Sequence, residues 1–364
     1  MELAQLSWQQ AAPLLTADAV LVLPLGAATK EHGPHLPLHT DWLQAEYLKN
    51  RVQEQAEVLV LPTVPYSHYP AFTDYPGSVS LDAGTARDTV LGIVRSLARH
   101  GARRFYVLNY GISTNGPLHA AAQVLAEDGV LLHFTDLTRA GPVKAALERQ
   151  QGPGSHADLV ETSVMLHIAP DRVQMPLAVR DQHARNGRGG LTRDPHGAGT
   201  YSPSGVYGDP TGATAEHGAQ LVQELLASIL DDIATLRAAP VPAPAETPES
   251  VLAFWFGGAP DPTAGDAAIA ARQSALWWKK DPATDAAIRT RFAAWTTRAA
   301  SGALDHWAHT PRGRLALIVL TDQFPRNMYR DTPQAFAFDT LARSWCRQGL
   351  LRGDDQALRP IERL

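Results

Sequence analysis

The stretch from Glu31 to Asp41 gathers residue types that bind metals: Glu31, His32, His35, His39 and Asp41 fall within 11 residues. Imidazole nitrogens and carboxylate oxygens are the donors that a divalent transition metal takes. Gly33, Pro34 and Pro37 stiffen the loop, because proline fixes φ and glycine permits tight backbone paths. Such a cluster points to a metal or catalytic site. The competing account is a polar loop with incidental histidines, and the density of ligand types weighs against it.

The elements that position this loop are legible on either side. Val20 to Leu25 is an apolar run of strand length ended by Gly26, so the loop leaves a strand's carboxyl end. Asp41 to Ala56 carries Trp42, Leu43, Ala45, Leu48 and Val52 at helical spacing. The pattern continues with a strand at Val58–Val64, a helix at Thr85–His100, a strand at Phe105–Asn109, a helix at His119–Glu127 and a strand at Val130–Phe134. Residues 1–17 read as a short amphipathic helix. This alternation predicts an α/β fold with a mainly parallel sheet flanked by helices, and an active site at the carboxyl ends of its strands. Farther on, His156 and Glu161 are five apart; they share a side only if His156 precedes a helix, with Ser155 as its N-cap. Residues 180–205, rich in Gly, Arg, His and Pro, predict an irregular lid or interface loop.

Pro24-Leu-Gly26, Glu31-His32-Gly-Pro-His35-Leu-Pro-Leu38 and Thr40-Asp41 resemble the signature of the creatininase family of metal-dependent amidohydrolases. The resemblance implies metal ligands Glu31, His32, Asp41 and Glu161, with the aspartate bridging two ions. It implies one or two divalent ions, zinc first, with manganese or iron as alternatives. The family's glutamate stands two before its histidine, where this chain has Lys30, so a bulge is expected to return Glu31 to the ion. Gly154 to Ser163 resembles the family's His-Ala-Gly-x-x-Glu-Thr-Ser, which implies catalytic roles for His156, in proton transfer, and for Glu161. The loop from Pro65 to Leu81 resembles the one that lines the family's substrate pocket. Candidate substrate contacts on these loops are His35, His68, Tyr69, Ser78, Ser113 and Thr114. The family's turn Asn-Gly-His-Gly-x-Asn carries a further ligand; here Asn109 to Asn115 has none, a departure that bears on a two-ion site. With Gly208-Asp-Pro210 and a helix at Gln220–Arg237 resembling the family's close, the resemblance spans residues 1–238.

Residues 239–248 form a Pro/Ala linker. After it the periodicity is helical and six of the eight tryptophans fall between Trp255 and Trp345. Val251–Gly257, Trp277-Trp278 and Asp322-Gln-Phe-Pro-Arg326-Asn327 resemble an uncharacterised bacterial family, which implies a smaller all-α, tetratricopeptide-like domain over 249–364. That family continues beyond Leu364, so the domain reads as truncated, with apolar faces left uncovered. Asp322, Arg326 and Asn327 suit either a polar pocket or a brace between helices.

A net charge of −5 and a pI near 6.3 exclude a nucleic-acid footprint, and no apolar run is long enough to span a membrane. The lone Cys346 excludes an intrachain disulfide, fits a reducing cytoplasm and is expected to be buried. No signal peptide is read, and a homo-oligomer acting on a small molecule is expected. Together these readings give a cytoplasmic metal-dependent hydrolase that splits the C–N bond of a small cyclic amide or formamide through a metal-activated water. Two alternatives stand beside it: a degenerate ligand-binding or interaction module, and a hydrolase of another bond, such as C–C in a cyclic ketone.

Overall fold

The computed structural model describes residues 1–258 and 265–363, and the chain divides into two compact units, Met1–Pro244 and Ala245–Leu364. The first unit opens with short turns and helix α1 (Trp8–Ala11), where one amphipathic helix was expected. Its frame follows as β1 (Val20–Gly26), α2 (Thr40–Gln55), β2 (Leu59–Val60), α3 (Ala83–Ala98), β3 (Arg104–Tyr110), α4 (Asn115–Glu127) and β4 (Leu131–Phe134). The four strands are parallel in the order β2-β1-β3-β4. The chain thus steps from β1 to one side and returns to the other, which makes the gap between the ends of β1 and β3 the switch point where open α/β sheets bind ligands.

Alternation along β1 explains why the run is apolar throughout. Leu21, Leu23 and Leu25 pack with Val90, Val94, Leu118 and Leu125 of α3 and α4 on one face. Val20 and Val22 pack on the other with Ala45 and Leu48 of α2. Gly26 ends the strand because Asp41's backbone closes onto it; a Cβ at Gly26 would collide with the Asp41 carbonyl and Ala45. This contact brings the start of α2 to the mouth of β1. Strand β2 is shorter than the expected 58–64, since Pro62 has no N–H to give the ladder, although Val64 rejoins β1 through Gly26.

Helices α5 (Pro142–Gln151) and α6 (Leu159–Ile168) follow; α5 had no counterpart in the sequence reading, its apolar positions being few among charged ones. The cap of α6 is Asp158, whose carboxylate accepts from Val160 N and Glu161 N, in place of the expected Ser155. Residues 180–205 are more ordered than a lid: β5 (Arg185–Asn186), β6 (Leu191–Thr192) and β7 (Gly199–Tyr201) make a small sheet in the order β5-β7-β6. Helix α7 (Ala215–Ala238) closes the unit, with Leu226, Ile229 and Ile233 against the main sheet.

The second unit is helical: α8 (Pro248–Phe256), α9 (Asp266–Trp278), α10 (Pro282–Ala300), α11 (Pro311–Ile318), a π turn at Val319–Gln323, α12 (Phe324–Met328) and α13 (Asp339–Arg352). Val251, Leu252, Phe292, Leu320 and Phe324 form its core. Arg326 pairs with Asp322 and Asp339, and Asn327 donates to Asp285, so these residues tie α10, α12 and α13 together. Leu350 and Leu351 are exposed. Cys346 is also exposed, on the outer side of α13, contrary to expectation. Leu364, the predicted end of this domain, lies outside the described residues. Among those residues no helix is long and apolar enough to cross a membrane.

Candidate metal centre

The loop between β1 and α2 turns inward at the switch point. Lys30 N–H donates to Leu38 O, Glu31 N–H to Ser78 Oγ, and His32 Nδ1–H to the Lys30 carbonyl. The last bond leaves His32 Nε2 facing Asp41 Oδ1 at 2.8 Å, two electron-rich atoms that need a proton or a cation between them. Opposite stands His156, on the segment before α6. Its Nε2–H donates to Glu31 Oε1 at 2.7 Å, and Nδ1 is 3.5 Å from Glu161 Oε2. Ala157, at φ 48°, makes the left-handed turn that aims His156 away from the helix while its own N–H donates to Glu161. Holding a non-glycine residue there costs about 1–2 kcal/mol, which the surrounding packing must supply.

His32, His156 and Glu161 come together: one potential ligand atom from each lies within 4.8 Å of the others. Two imidazoles and a carboxylate, with tautomers set from behind by a carbonyl and a carboxylate, fit one divalent transition metal with an open position. Glu31 lies behind His156 and outside this trio. Asp41 is not part of the trio; it stands beside it, with Oδ1 toward His32 and Oδ2 2.7 Å from the Lys30 ammonium.

The electrostatics are those of a buried, mostly acidic pocket. Burial pulls the Lys30 ammonium down, but Asp41 and Glu161 outweigh it and its pKa sits above the ordinary value. Burial raises Asp41 and Lys30 with His32 lowers it, the net being below the carboxylate range. His156 is likewise pulled down by burial and lifted further by Glu31, ending raised, while Glu31 ends lowered.

The centre opens on a cavity of about 690 Å³ lined by Lys30, Asp41, His156, Glu161, Phe72 and Ser113, with β6 and β7 contributing one wall. Of the candidate substrate contacts, Ser113 lines this cavity, and its hydroxyl donates to His68 O. The others are placed elsewhere. His35 is buried against Thr162, His68 bonds Leu81 O, and Tyr69 is buried behind Lys30. Ser78 holds the Glu31 amide, and Thr114 is buried, donating to Asn109 and Gly111 O. His119 packs on Phe134, away from the centre.

Sequence reasoning treated Lys30 as an interruption, whereas the structure makes it the partner of Asp41. Its signal was a basic residue directly before two ligand types, Glu31 and His32, in a loop that leaves a buried strand. Asp158 was also readable, since Asp158 and Glu161 have the spacing of a helix-start box.

Comparison with known proteins agrees with this architecture. The family model for creatininase, creatinine amidohydrolase, matches residues 4–233, and that for a bacterial protein of unknown function (DUF924) matches residues 251–364. Creatinine amidohydrolase of Pseudomonas putida is 32% identical over 195 residues, covering 48% of this chain and 74% of that protein. The mycofactocin precursor peptide peptidase of Mycolicibacterium smegmatis is 30% identical over 229 residues, covering 59% and 84%. A crystal structure of creatinine amidohydrolase superposes with a TM-score of 0.55 at 26% identity, covering 66% of this chain and 98% of the other. Creatininase structures described as a Zn-Zn type and as Mn superpose at 0.54, each 26% identical, covering 65% of this chain and 98% and 99% of theirs.

Proposed function

The chain belongs to the creatininase family of metal-dependent amidohydrolases, and on that premise we propose that it hydrolyses the C–N bond of a small cyclic amide or formamide. The observation that carries this reading is the convergence of His32, His156 and Glu161 beside a cavity of about 690 Å³ at the carboxyl ends of β1 and β3. These three residues would hold one divalent ion, zinc, manganese or iron. When bound, that ion polarises the scissile carbonyl and acidifies a water.

The chain's own groups supply the rest. Glu31 keeps the His156 proton on Nε2, so the Nδ1 lone pair faces Glu161 and the cavity. The Lys30 carbonyl does the same for His32 through Nδ1. His156 cannot both hold an ion through Nδ1 and deliver a proton from that atom, and the short bond to Glu31 favours the holding role. Asp41 lines the cavity beside His32, with one oxygen toward His32 Nε2 and the other on the Lys30 ammonium, and so orients both groups toward the centre. Phe72, its ring tilted 44° to that of His156 with centroids 4.3 Å apart, covers the pair and excludes solvent. We place the boundary with the helical domain in the Pro/Ala stretch 239–248, and take the enzyme to work on small molecules in the cytoplasm as a homo-oligomer.

The test is a hydrolysis panel on zinc- and manganese-loaded protein, using cyclic amides, N-formyl compounds and short peptides. Peptides are included because one relative is a precursor peptide peptidase. Metal content is measured alongside. The expected result is turnover of an amide that chelation abolishes, with the ion lost in His32→Ala, His156→Ala and Glu161→Ala. Retention of the ion by His156→Ala with loss of turnover would return His156 to proton transfer. A wild type that takes up no divalent ion overturns the hydrolase reading and leaves a ligand-binding module, which the ligand-free turn at Gly111–Thr114 favours.

A further inference from the structure

The Lys30 side chain is the feature of this centre that the hydrolytic reading leaves unused. It is 5% exposed, so it is not a surface cation that strayed inward. Its ammonium stands 2.7 Å from Asp41 Oδ2, while the other oxygen of that carboxylate faces His32. It also lies 4.7 Å from the Phe72 ring centroid and 5.7 Å from that of Tyr69, which hold a cation by their π faces. Glu161 and Glu31 act on it electrostatically from farther off. Backbone bonds on both sides, from Lys30 N–H to Leu38 O and from His32 to Lys30 O, fix where the side chain starts. The ammonium is therefore held between Asp41 and two aromatic rings, at the free oxygen of a carboxylate whose other oxygen faces His32, a proposed metal ligand.

We propose that Lys30 is a built-in second cation: its ammonium fills the place on Asp41 that a second divalent ion would need, so the chain takes one ion and not two. The proposal rests on the one-ion centre argued above. Charge and ligand supply both support it. Asp41, Glu31 and Glu161 are three carboxylates around one ammonium, and with the histidines neutral, as ligands must be, one divalent ion brings the group to neutrality. A second divalent ion would leave two positive charges buried without compensation, which burial penalises heavily. The turn after β3, which faces the same space, offers Gly111, Ile112, Ser113 and Thr114, and the Thr114 hydroxyl is committed to Asn109 and Gly111. Neutral hydroxyls bind such ions weakly.

The experiment is metal stoichiometry, not turnover. Full-length protein is stripped, reloaded with excess zinc chloride, desalted and analysed by plasma mass spectrometry, with circular dichroism to confirm folding. Wild type should hold about one equivalent, and Lys30→Glu, which exchanges the cation for a carboxylate, about two. Two equivalents in wild type overturn the proposal while keeping the metal centre. A folded Lys30→Glu that still holds one also overturns it. No zinc in wild type overturns the one-ion centre itself, a different and distinguishable failure. Should Lys30→Glu not fold, Lys30→Met carries the test: losing the fixed charge beside the ion should tighten zinc about tenfold or more against a competing chelator, and an unchanged affinity overturns the proposal.

Discussion

His35, the loop histidine turned away from the centre, gives the cleanest test of the site's electrostatics. His35 is fully buried; its Nε2 is 2.8 Å from Thr162 Oγ1, and its Nδ1 has no partner among the described residues. A neutral ring leaves one lone pair unsatisfied there. A protonated ring would bury a second N–H with nothing to accept it. Burial therefore lowers its pKa from 6.5 to about 4, against the opposing pull of Glu161. As pH falls through 6.5 the unfolded chain takes up a proton, and the native chain does not until about 4. The stabilisation is complete above pH 6.5 and is lost as pH falls toward 4.

At about 1.36 kcal/mol per pH unit the whole gap is worth about 3.4 kcal/mol. Relaxation of the native structure around a buried charge takes back part of it, leaving about 2 kcal/mol. The assay is hydrogen exchange of β1 and β3 amides in metal-free wild type and His35→Asn, compared at equal pH so that intrinsic exchange chemistry cancels. Between pH 7 and pH 4.5 the ratio of opening constants should move about 30-fold in favour of the variant, since about 1.4 kcal/mol is tenfold. A ratio that stays constant across that range, or moves the other way, refutes the assignment of His35 as a buried neutral ring.

Three further outcomes follow from packing and pairing. Gly26→Ala should lower stability by about 1–3 kcal/mol in thermal unfolding, because the new Cβ meets the Asp41 carbonyl and Ala45. Asp41→Asn leaves the Lys30 ammonium buried without its partner and should cost about 3–5 kcal/mol, whereas Lys30→Met with Asp41→Leu should cost less; equal losses in urea unfolding would count against the pair. Asn109→Ala removes donations to Gly111 O, Asn115 Oδ1 and Thr135 O, and should cost about 2–3 kcal/mol with faster exchange in 111–114.

The sheet was readable because burial on both faces makes a strand continuously apolar, as in Val20–Leu25, and at six residues that run is too short for a buried helix. Element ends were read less well where polar chemistry sets them. The cap of α6 fell to Asp158 because a carboxylate can accept from two amides, which Ser155, three residues upstream, was not positioned to do. The small sheet of β5 to β7 was hidden by strands of two and three residues, too short for any period to show. At the centre, residue types were legible and directions were not. Glu31, His32, His35 and Asp41 are all metal-binding types, yet the fold sends His35 to Thr162 and Glu31 to a histidine 125 residues away.

The order Lys30-Glu31-His32 makes physical sense only as an alternation in space. Lys30 reaches Asp41 on one side of the loop, and Glu31 reaches His156 on the other. Gly205 permits the second of these, at φ 85° and with Glu31's carboxylate where its Cβ would stand. Each of the two therefore supports a residue at the centre instead of joining it: Lys30 fixes the charge of Asp41, and Glu31 fixes the tautomer of His156. A bulge returning Glu31 to the ion would forfeit the shorter of two Nε2 bonds of His156, leaving the Glu31 backbone carbonyl at 2.9 Å as the remaining acceptor there. In the one-ion centre proposed above, the Glu31 carboxylate therefore supports His156 from behind, and the loop commits two adjacent side chains to Asp41 and His156.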